Sequence, residues 1–478
     1  MLHYLIVSAL ASTPPTQLLP QVRDPTAIQR AFMPKALELL SDETPCALFY
    51  DLDAFRDTLL KIKAAFPDTT LHAIAMKANP LAACLLLAKD LGFGVEVASP
   101  CELEHALRLG FAPERIVMDS PAKTVRDLRN ALAAGVQLNA DNFDELARID
   151  EILTNEYGGG GAKGLGSCTS RIGVRVNPQY GEGKIAATGT IAKTSKFGLP
   201  LMEVREELLD AYKRYAWLTC VHCHVGSQGC ELELLVRGSK SVLALANEIN
   251  AHCGAEQVRT LDIGGGMPAD YGSDAPDEGV PERITPARYR AALEAEAPEM
   301  FEDGSKFSLV TEFGRAASAK AGYMVSRVEY VKSAGGRRLA SVHCGADLFL
   351  RTAYQPKNWP HRVSAWSADG VFLPPAEQNE VWDVVGPLCF RGDIVAEGVE
   401  LPAELGGGCA ICVHDAGAYT IAMFSKYNSR QAPPVFGFRA EGAGYAGIEH
   451  RAAKPLIIER LSAGESVEQA LSLWQVPQ

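Results

Sequence analysis

The chain has 478 residues, too many for one ordinary hydrophobic core, so at least two domains are expected. Hydrophobic residues make up 47% and charged residues 22%, as in a globular protein, and the net charge of −12 argues against nucleic acid as a partner. Twelve cysteines spread over this length form no dense disulfide framework and read as reduced thiols of an intracellular protein.

In chain order, residues 1–12 are apolar and end in small residues, but lack the basic start of a secretory signal. A cytoplasmic location is expected, or an organelle if this stretch is a targeting segment. No run is long enough to span a bilayer, so no membrane partner is expected. An amphipathic stretch, Pro25 to Leu40, follows, then the apolar Ala47-Leu48-Phe49-Tyr50 and a helix from Asp53 to Phe66. From there strand and helix alternate. The expected strands are His72–Ala75, Gly94–Ala98, Arg115–Met118, Val136–Ala140, Arg171–Val176, Leu218–Val225, Thr260–Ile263 and Ser308–Glu312. Most are separated by helical patterns such as Pro100–Leu109, Thr124–Ala134, Phe143–Leu153, Leu232–His252 and Thr285–Ala297. Eight such units predict a (β/α)8 barrel rather than a doubly wound sheet. From about residue 316 the rhythm changes to strands broken by Gly, Pro and Asp: Tyr323–Val331, Arg338–His343, Glu380–Val385, Gly392–Val395 and Cys409–His414. The expected division is an N-terminal segment, 1–46, which the β domain can recruit; a barrel, 47–315; and a mostly β C-terminal domain, 316–478.

Three motif matches are decoys. Gly158 to Gly166 contains G-x-G-x-x-G but follows a helix, which favours a flexible insertion over a dinucleotide loop. Cys220-Val221-His222-Cys223-His224 has haem-attachment spacing, but lies inside an expected strand of a chain without an export signal. His222 and His224 share one strand face, yet no third ligand stands at a readable spacing, so no metal is expected.

Barrel chemistry gathers at the C-terminal ends of the strands. Those ends carry Lys77; Glu96 and Ser99; Asp119; Asn139 and Asp141; Arg175; His224, Gly226 and Ser227; Gly264, Gly265 and Gly266; and Glu312 with Arg315. Polar groups at nearly every tip are hard to explain as packing. Lys77 by itself reads as a snorkelling surface residue, but its companions favour another role. At the tip of a buried strand its amine is expected to be poorly solvated, with a lowered pKa, and free to attack a carbonyl. Three consecutive glycines let backbone N–H groups approach a phosphate. Lysine, glycine turn and terminal carboxylate together fit pyridoxal 5'-phosphate.

The order and spacing of several motifs then become recognisable. They are Met76-Lys77-Ala78-Asn79-Pro80, Arg175-Val176-Asn177-Pro178, Ser195-Lys196-Phe197-Gly198, and His222-Cys223-His224-Val225-Gly226-Ser227-Gln228. Further on stand Leu261-Asp262-Ile263-Gly264-Gly265-Gly266, Glu312-Phe313-Gly314-Arg315, Gly386-Pro387-Leu388-Cys389 and His414-Asp415-Ala416-Gly417-Ala418-Tyr419. Across about residues 47–437 the chain resembles the fold-type III pyridoxal-phosphate decarboxylases of ornithine, diaminopimelate and arginine, most closely the diaminopimelate branch. The resemblance implies an alanine-racemase-like barrel with a C-terminal β domain. It implies that Lys77 holds the cofactor as a Schiff base and His224 stacks on its ring. Glu312 would meet the ring nitrogen; Ser227, Gly264, Gly265, Gly266 and Tyr419 the phosphate; Arg315 the phosphate or the substrate carboxylate; and Arg175 would belong to the same cofactor site. Cys389 would reach the partner's site in a homodimer with shared active sites and protonate the carbanion.

Departures from the pattern bear mainly on substrate. Phe390, followed by Arg391, stands where an acidic residue usually meets a distal amine. Arg351 resembles the branch's arginine for a distal carboxylate, but Tyr354 comes one residue early. Glu96 replaces an aspartate, and Phe313 a proline. The expected substrate is meso-diaminopimelate, yielding L-lysine and CO2. The alternatives are decarboxylation of D-ornithine, D-lysine or another amino acid, a fold-type III racemase, and a catalytically inactive regulator.

Overall fold

The computed structural model describes residues 22–274, 282–302, 305–375, 380–442 and 451–474. The apolar stretch 1–12 lies outside the described residues. Strand β1, Cys46–Asp51, is the first strand among the described residues, and nine short strands follow: β2 Leu71–Ala75, β3 Gly94–Val97, β4 Ile116–Asp119, β5 Gln137–Ala140, β6 Ile172–Asn177, β7 Leu199–Pro200, β8 Leu218–His222, β9 Thr260–Asp262 and β10 Ser308–Thr311. All but β1 and β7 run parallel in the cycle β2-β3-β4-β5-β6-β8-β9-β10, which β10 closes by pairing with β2 (Val310 with Leu71). The sheet is therefore a closed eight-stranded barrel, and the doubly wound alternative is excluded. Strand β7 is an appendage on the end of β6.

Local signals explain why helices begin and end where they do. Ser99 caps the helix Pro100–Arg108 by accepting from the Glu102 N–H, with Pro100 at its first position. Thr124 and Asp127 form a reciprocal capping box, and Gly135 ends that helix at φ 75°. The helix Leu201–Arg214 gave no clear signal in sequence because Pro200, which cannot cap through its side chain, precedes it.

The remaining strands are β11 Gly322–Ala334, β12 Arg337–Val342, β13 Val363–Trp366, β14 Phe372–Leu373, β15 Glu380–Val385, β16 Ile394–Leu401, β17 Ala410–Val413, β18 Val435–Ala440 and β19 Leu456–Ser462. With β1 they form one ten-stranded mixed sheet. Strand β1 sits between β11 and β18, antiparallel to the first and parallel to the second. The helix Ala27–Glu38 covers this sheet, burying Ile28, Phe32, Met33 and Ala36 against Phe49, Tyr323 and Phe438. The rings of Phe32 and Phe438 stack at 4.7 Å.

Gly158 to Gly166 form a compact turn ahead of β6, at the end of the barrel away from the polar strand tips. Gly160 donates to the Gly164 carbonyl, and the Gly161 N–H donates to Asp150. The expected flexible insertion is thus a stitched loop. Cys220 and Cys223 are buried thiols, with burial pushing Cys223 up to about 11. Among the described residues no helix is long and apolar enough to cross a membrane.

One buried histidine makes stability sensitive to acid. His72 lies in β2, shares a 2.8 Å hydrogen bond with the Thr311 hydroxyl, and burial lowers its pKa from 6.5 to about 4. Below pH 6.5 the unfolded chain takes up a proton that the folded chain refuses until pH 4, so folding stability falls across that window. A series of urea titrations between those limits is expected to show the fall, and His72→Gln to flatten part of it.

Candidate active site

The polar residues expected at the strand tips converge at the C-terminal end of the barrel. Lys77 sits in a single 3-10 turn, Met76–Ala78, directly after β2. Its Nζ is 2.6 Å from Glu96 Oε1; the lysine side chain is 36% exposed and Glu96 fully buried. Burial disfavours the charged amine, but the carboxylates of Glu96 and Glu312 outweigh it and hold the lysine pKa above its ordinary value. The expectation of a depressed lysine is corrected: strand-tip burial comes here with a buried carboxylate partner, and the pair is an ammonium–carboxylate contact.

Glu312 follows β10 and is fully buried, with neither carboxylate oxygen hydrogen-bonded. Burial and the nearby Asp262 push its pKa well above the ordinary carboxylate range, while His222 opposes them. His224 Nδ1 accepts from the Gly265 N–H at 3.1 Å, and burial with the nearby Arg175 and Lys77 charges keeps this imidazole neutral. The two histidines do not converge as a metal pair: His222 instead lies beside Asp262 and Glu312, and the three offer donor atoms within 4.8 Å of one another.

The triple glycine is a space requirement as much as a turn. A Cβ on Gly265 would stand 2.6 Å from the Glu312 carbonyl oxygen and 2.9 Å from His224 Cε1. Gly264 and Gly266 have φ of 64° and 109°, where side chains are strained. Beside this loop Arg315, nearly buried, donates through Nε to Ser227 Oγ at 3.1 Å and through Nη1 to the Tyr271 hydroxyl at 2.7 Å. Its Nη2 has no partner. Tyr419, at φ 58°, donates its N–H to the Ala78 carbonyl at 2.9 Å, tying the β domain to the Lys77 turn.

Arg351 joins Arg315 through aromatic rings rather than a direct bond. Both guanidinium carbons lie over Trp359, at 4.6 Å for Arg315 and 4.8 Å for Arg351. Both also lie over Tyr419, at 4.4 and 4.6 Å. Arg351 Nη1 is buried and unpartnered. Arg175 is turned to Asp119 and to the Phe197 ring. Tyr271 and Trp359 were missed in sequence: Tyr271 shares the glycine loop and was within reach of a closer reading, whereas nothing around Trp359 marks it.

Cys389 belongs to a second cluster. It is exposed, its N–H donates to Asn428 Oδ1 at 2.9 Å, and its carbonyl accepts from the Tyr427 hydroxyl. Phe390 stacks on Tyr354 with centroids 6.0 Å apart and meets Tyr427 edge-on at 5.8 Å. These rings, with Ala346, Leu350, Leu388 and Ser425, line a cavity of about 340 Å³. Tyr354 and Arg351 lie on one short helix, Leu350–Tyr354, but Tyr354 is exposed beside Phe390 while Arg351 turns inward.

The barrel-end groups fit a flat heteroaromatic cofactor carrying a carbonyl and a phosphate. An unpartnered buried carboxylate suits a ring N–H, a glycine cradle with an arginine suits a phosphate, and a lysine stands at the same mouth. Comparison with known proteins gives the same answer. The family described as pyridoxal-dependent decarboxylase, pyridoxal binding domain, matches residues 52–319. The diaminopimelate decarboxylase of Pseudomonas fluorescens is 32% identical over 75% of this chain and 79% of its own length. That of Helicobacter pylori is 31% identical over 81% of this chain and 88% of its own. A crystal structure of the Helicobacter pylori enzyme complexed with L-lysine superposes with a TM-score of 0.75 at 26% identity, covering 92% of this chain and 98% of that one. The chain belongs to the pyridoxal-dependent decarboxylases, in their diaminopimelate decarboxylase branch, and its cofactor is pyridoxal 5'-phosphate.

Proposed function

We propose that the protein decarboxylates meso-diaminopimelate to L-lysine, with the barrel mouth and a second subunit sharing the work. The observation that carries this reading is the meeting of Lys77, Glu312, His224 and the Gly264–Gly266 loop at one end of the barrel, beside buried Arg315 and half-buried Arg351, each with a buried nitrogen that has no hydrogen-bond partner among the described residues. Lys77 would hold the cofactor through its Nζ, the amine at this mouth able to take up a carbonyl. His224, neutral and fixed by the Gly265 N–H, offers a flat face to the ring. Glu312 holds the proton at the ring nitrogen. Gly264, Gly265, Gly266, Ser227 and Tyr419 would receive the phosphate, and Arg175 anchors Asp119 within the same site. Bound pyridoxal phosphate supplies a protonated ring that accepts the electron pair left when CO2 departs.

Arg315 and Arg351 have the donors for a distal carboxylate, which diaminopimelate carries and ornithine lacks. Phe390 and Tyr354 offer a distal ammonium π-faces instead of a carboxylate. That is the observation favouring a second reading, D-lysine or D-ornithine as substrate. CO2 release from meso-diaminopimelate, both enantiomers of lysine and ornithine, and arginine separates the two; release from D-lysine or D-ornithine but not meso-diaminopimelate overturns the first.

The exposed cluster of Cys389, Phe390, Tyr354 and Tyr427 supports a homodimer in which Cys389 delivers the proton to Cα in the partner's site. Cys389→Ser is expected to lower kcat about 10²-fold with cofactor binding unchanged. Mixing Lys77→Ala and Cys389→Ser subunits is expected to restore up to about a quarter of the activity, through dimers with one intact site. Gly265→Val fills the space beside His224 and is expected to weaken cofactor binding at least about tenfold, read from absorbance titrations.

A further inference from the structure

Below Glu312 lies a charged cluster that the reaction itself does not use. His222, at the end of β8, is fully buried. Its Nδ1 is 3.1 Å from Asp262 Oδ1, and its Nε2 is 3.6 Å from Asp119 Oδ2 and 3.9 Å from Glu312 Oε2. Neither ring nitrogen has an aligned hydrogen-bond partner, so these approaches act through charge. Asp262 is immobilised: Oδ2 accepts from Gln137 Nε2 at 3.0 Å and Asn139 Nδ2 at 3.2 Å, and Oδ1 accepts from the Gly264 N–H at 3.1 Å. Asp119 is held by Arg175.

Charge placement around Glu312 is lopsided. Asp262 from β9, Glu96 from β3 and Asp119 from β4 all disfavour its ionised form. Lys77 is committed to Glu96 and Arg175 to Asp119, and His224 is neutral. Apart from Lys77, whose charge also reaches Glu312, His222 is the cation beside it, at 3.9 Å, and its carboxylate neighbours overcome burial to keep it protonated well above the ordinary histidine range.

We propose that His222 is a positioning residue whose positive charge, set against the carboxylates around Glu312, eases ionisation of Glu312 so that it can hold a protonated ring nitrogen. The proposal rests on the assignment of Glu312 to that nitrogen. Without the imidazolium, Glu312 faces three carboxylates with less to offset them and holds a proton more tightly, leaving the ring nitrogen without an anion. The cost then depends on pH: large in acid, shrinking as alkali strips the proton from Glu312.

The test measures the dissociation constant of pyridoxal phosphate, and the absorbance of the bound cofactor, from about pH 6 to about pH 8. The proteins are wild type, His222→Gln, Asp119→Asn, His222→Gln/Asp119→Asn and Glu312→Gln. Wild-type affinity is expected to stay flat. His222→Gln is expected to bind about tenfold more weakly at the acid end and to converge on wild type at the alkaline end. Adding Asp119→Asn removes one negative charge and frees that of Arg175, so the double variant is expected to regain a flatter profile. A deficit in His222→Gln that is independent of pH, or made additively worse by Asp119→Asn, overturns the proposal. If His222→Gln alone does not fold, the double variant decides: acid-end affinity closer to wild type than that of Glu312→Gln supports the charge role, and affinity as weak as that of Glu312→Gln refutes it. Failure of wild type to bind the cofactor, or a Glu312→Gln variant identical to wild type, refutes the underlying reading instead.

Discussion

Replacing Lys77 by alanine is expected to reduce decarboxylation by about 10⁴-fold or more, because in the proposed site the amine would both fix the cofactor and exchange with the substrate. The size follows from what the variant loses. A covalent anchor at the barrel mouth turns a bimolecular encounter into an intramolecular one, and among the described residues Lys77 is the lysine paired with Glu96. The variant also strands Glu96, fully buried and paired to Lys77 at 2.6 Å, so part of any loss can come from an unpaired carboxylate. Lys77→Ala/Glu96→Gln separates the two effects: chemistry stays lost while thermal stability recovers. A Lys77→Ala protein within tenfold of wild type would place the chemistry elsewhere.

Glu312→Ala is expected to lower kcat about 10³-fold with the cofactor still held by lysine, glycines and arginine. In the proposed arrangement this buried carboxylate would meet the ring nitrogen, and charge stabilisation is strongest where a group is buried. Its two unpartnered oxygens mark a group arranged for something other than packing. Single-turnover CO2 release isolates the chemical step, and a change confined to KM would contradict this role. The pair of predictions also differ in spectrum: loss of Lys77 abolishes the covalent absorbance band, whereas loss of Glu312 alters its position.

The barrel was legible because each strand is a short apolar run between helical periodicities, and all eight barrel strands fall at the stretches expected. The second sheet was harder to read. Strands β13, β18 and β19 went unrecognised, since Val363–Trp366 follows a Pro-rich turn and Leu456–Ser462 alternates with charged residues on an exposed face. Its assembly is non-local: β1 pairs with β11 and β18, hundreds of residues away, a join that no window of sequence contains.

At the site, strand-tip logic located Lys77, His224, the glycines, Glu312 and Arg315. It erred on the protonation of Lys77, because the solvation of a strand tip is readable from pattern while a carboxylate across the barrel is not. Glu96 was noted as a strand-tip residue standing where aspartate is usual, but not as the lysine's partner. Trp359 and Tyr271 escaped because aromatic contacts with an arginine have no fixed spacing. His222 was weighed as a metal ligand beside His224, whereas its partners come from three other strands.

The account turns on Lys77 being the residue that carries the cofactor. The direct measurement is borohydride reduction of the protein loaded with pyridoxal phosphate, followed by peptide mass mapping. The cofactor is expected as a reduced adduct on Lys77 alone, lost when meso-diaminopimelate in excess is present during reduction. An adduct on a different lysine, or none on a protein that releases CO2, would contradict the account.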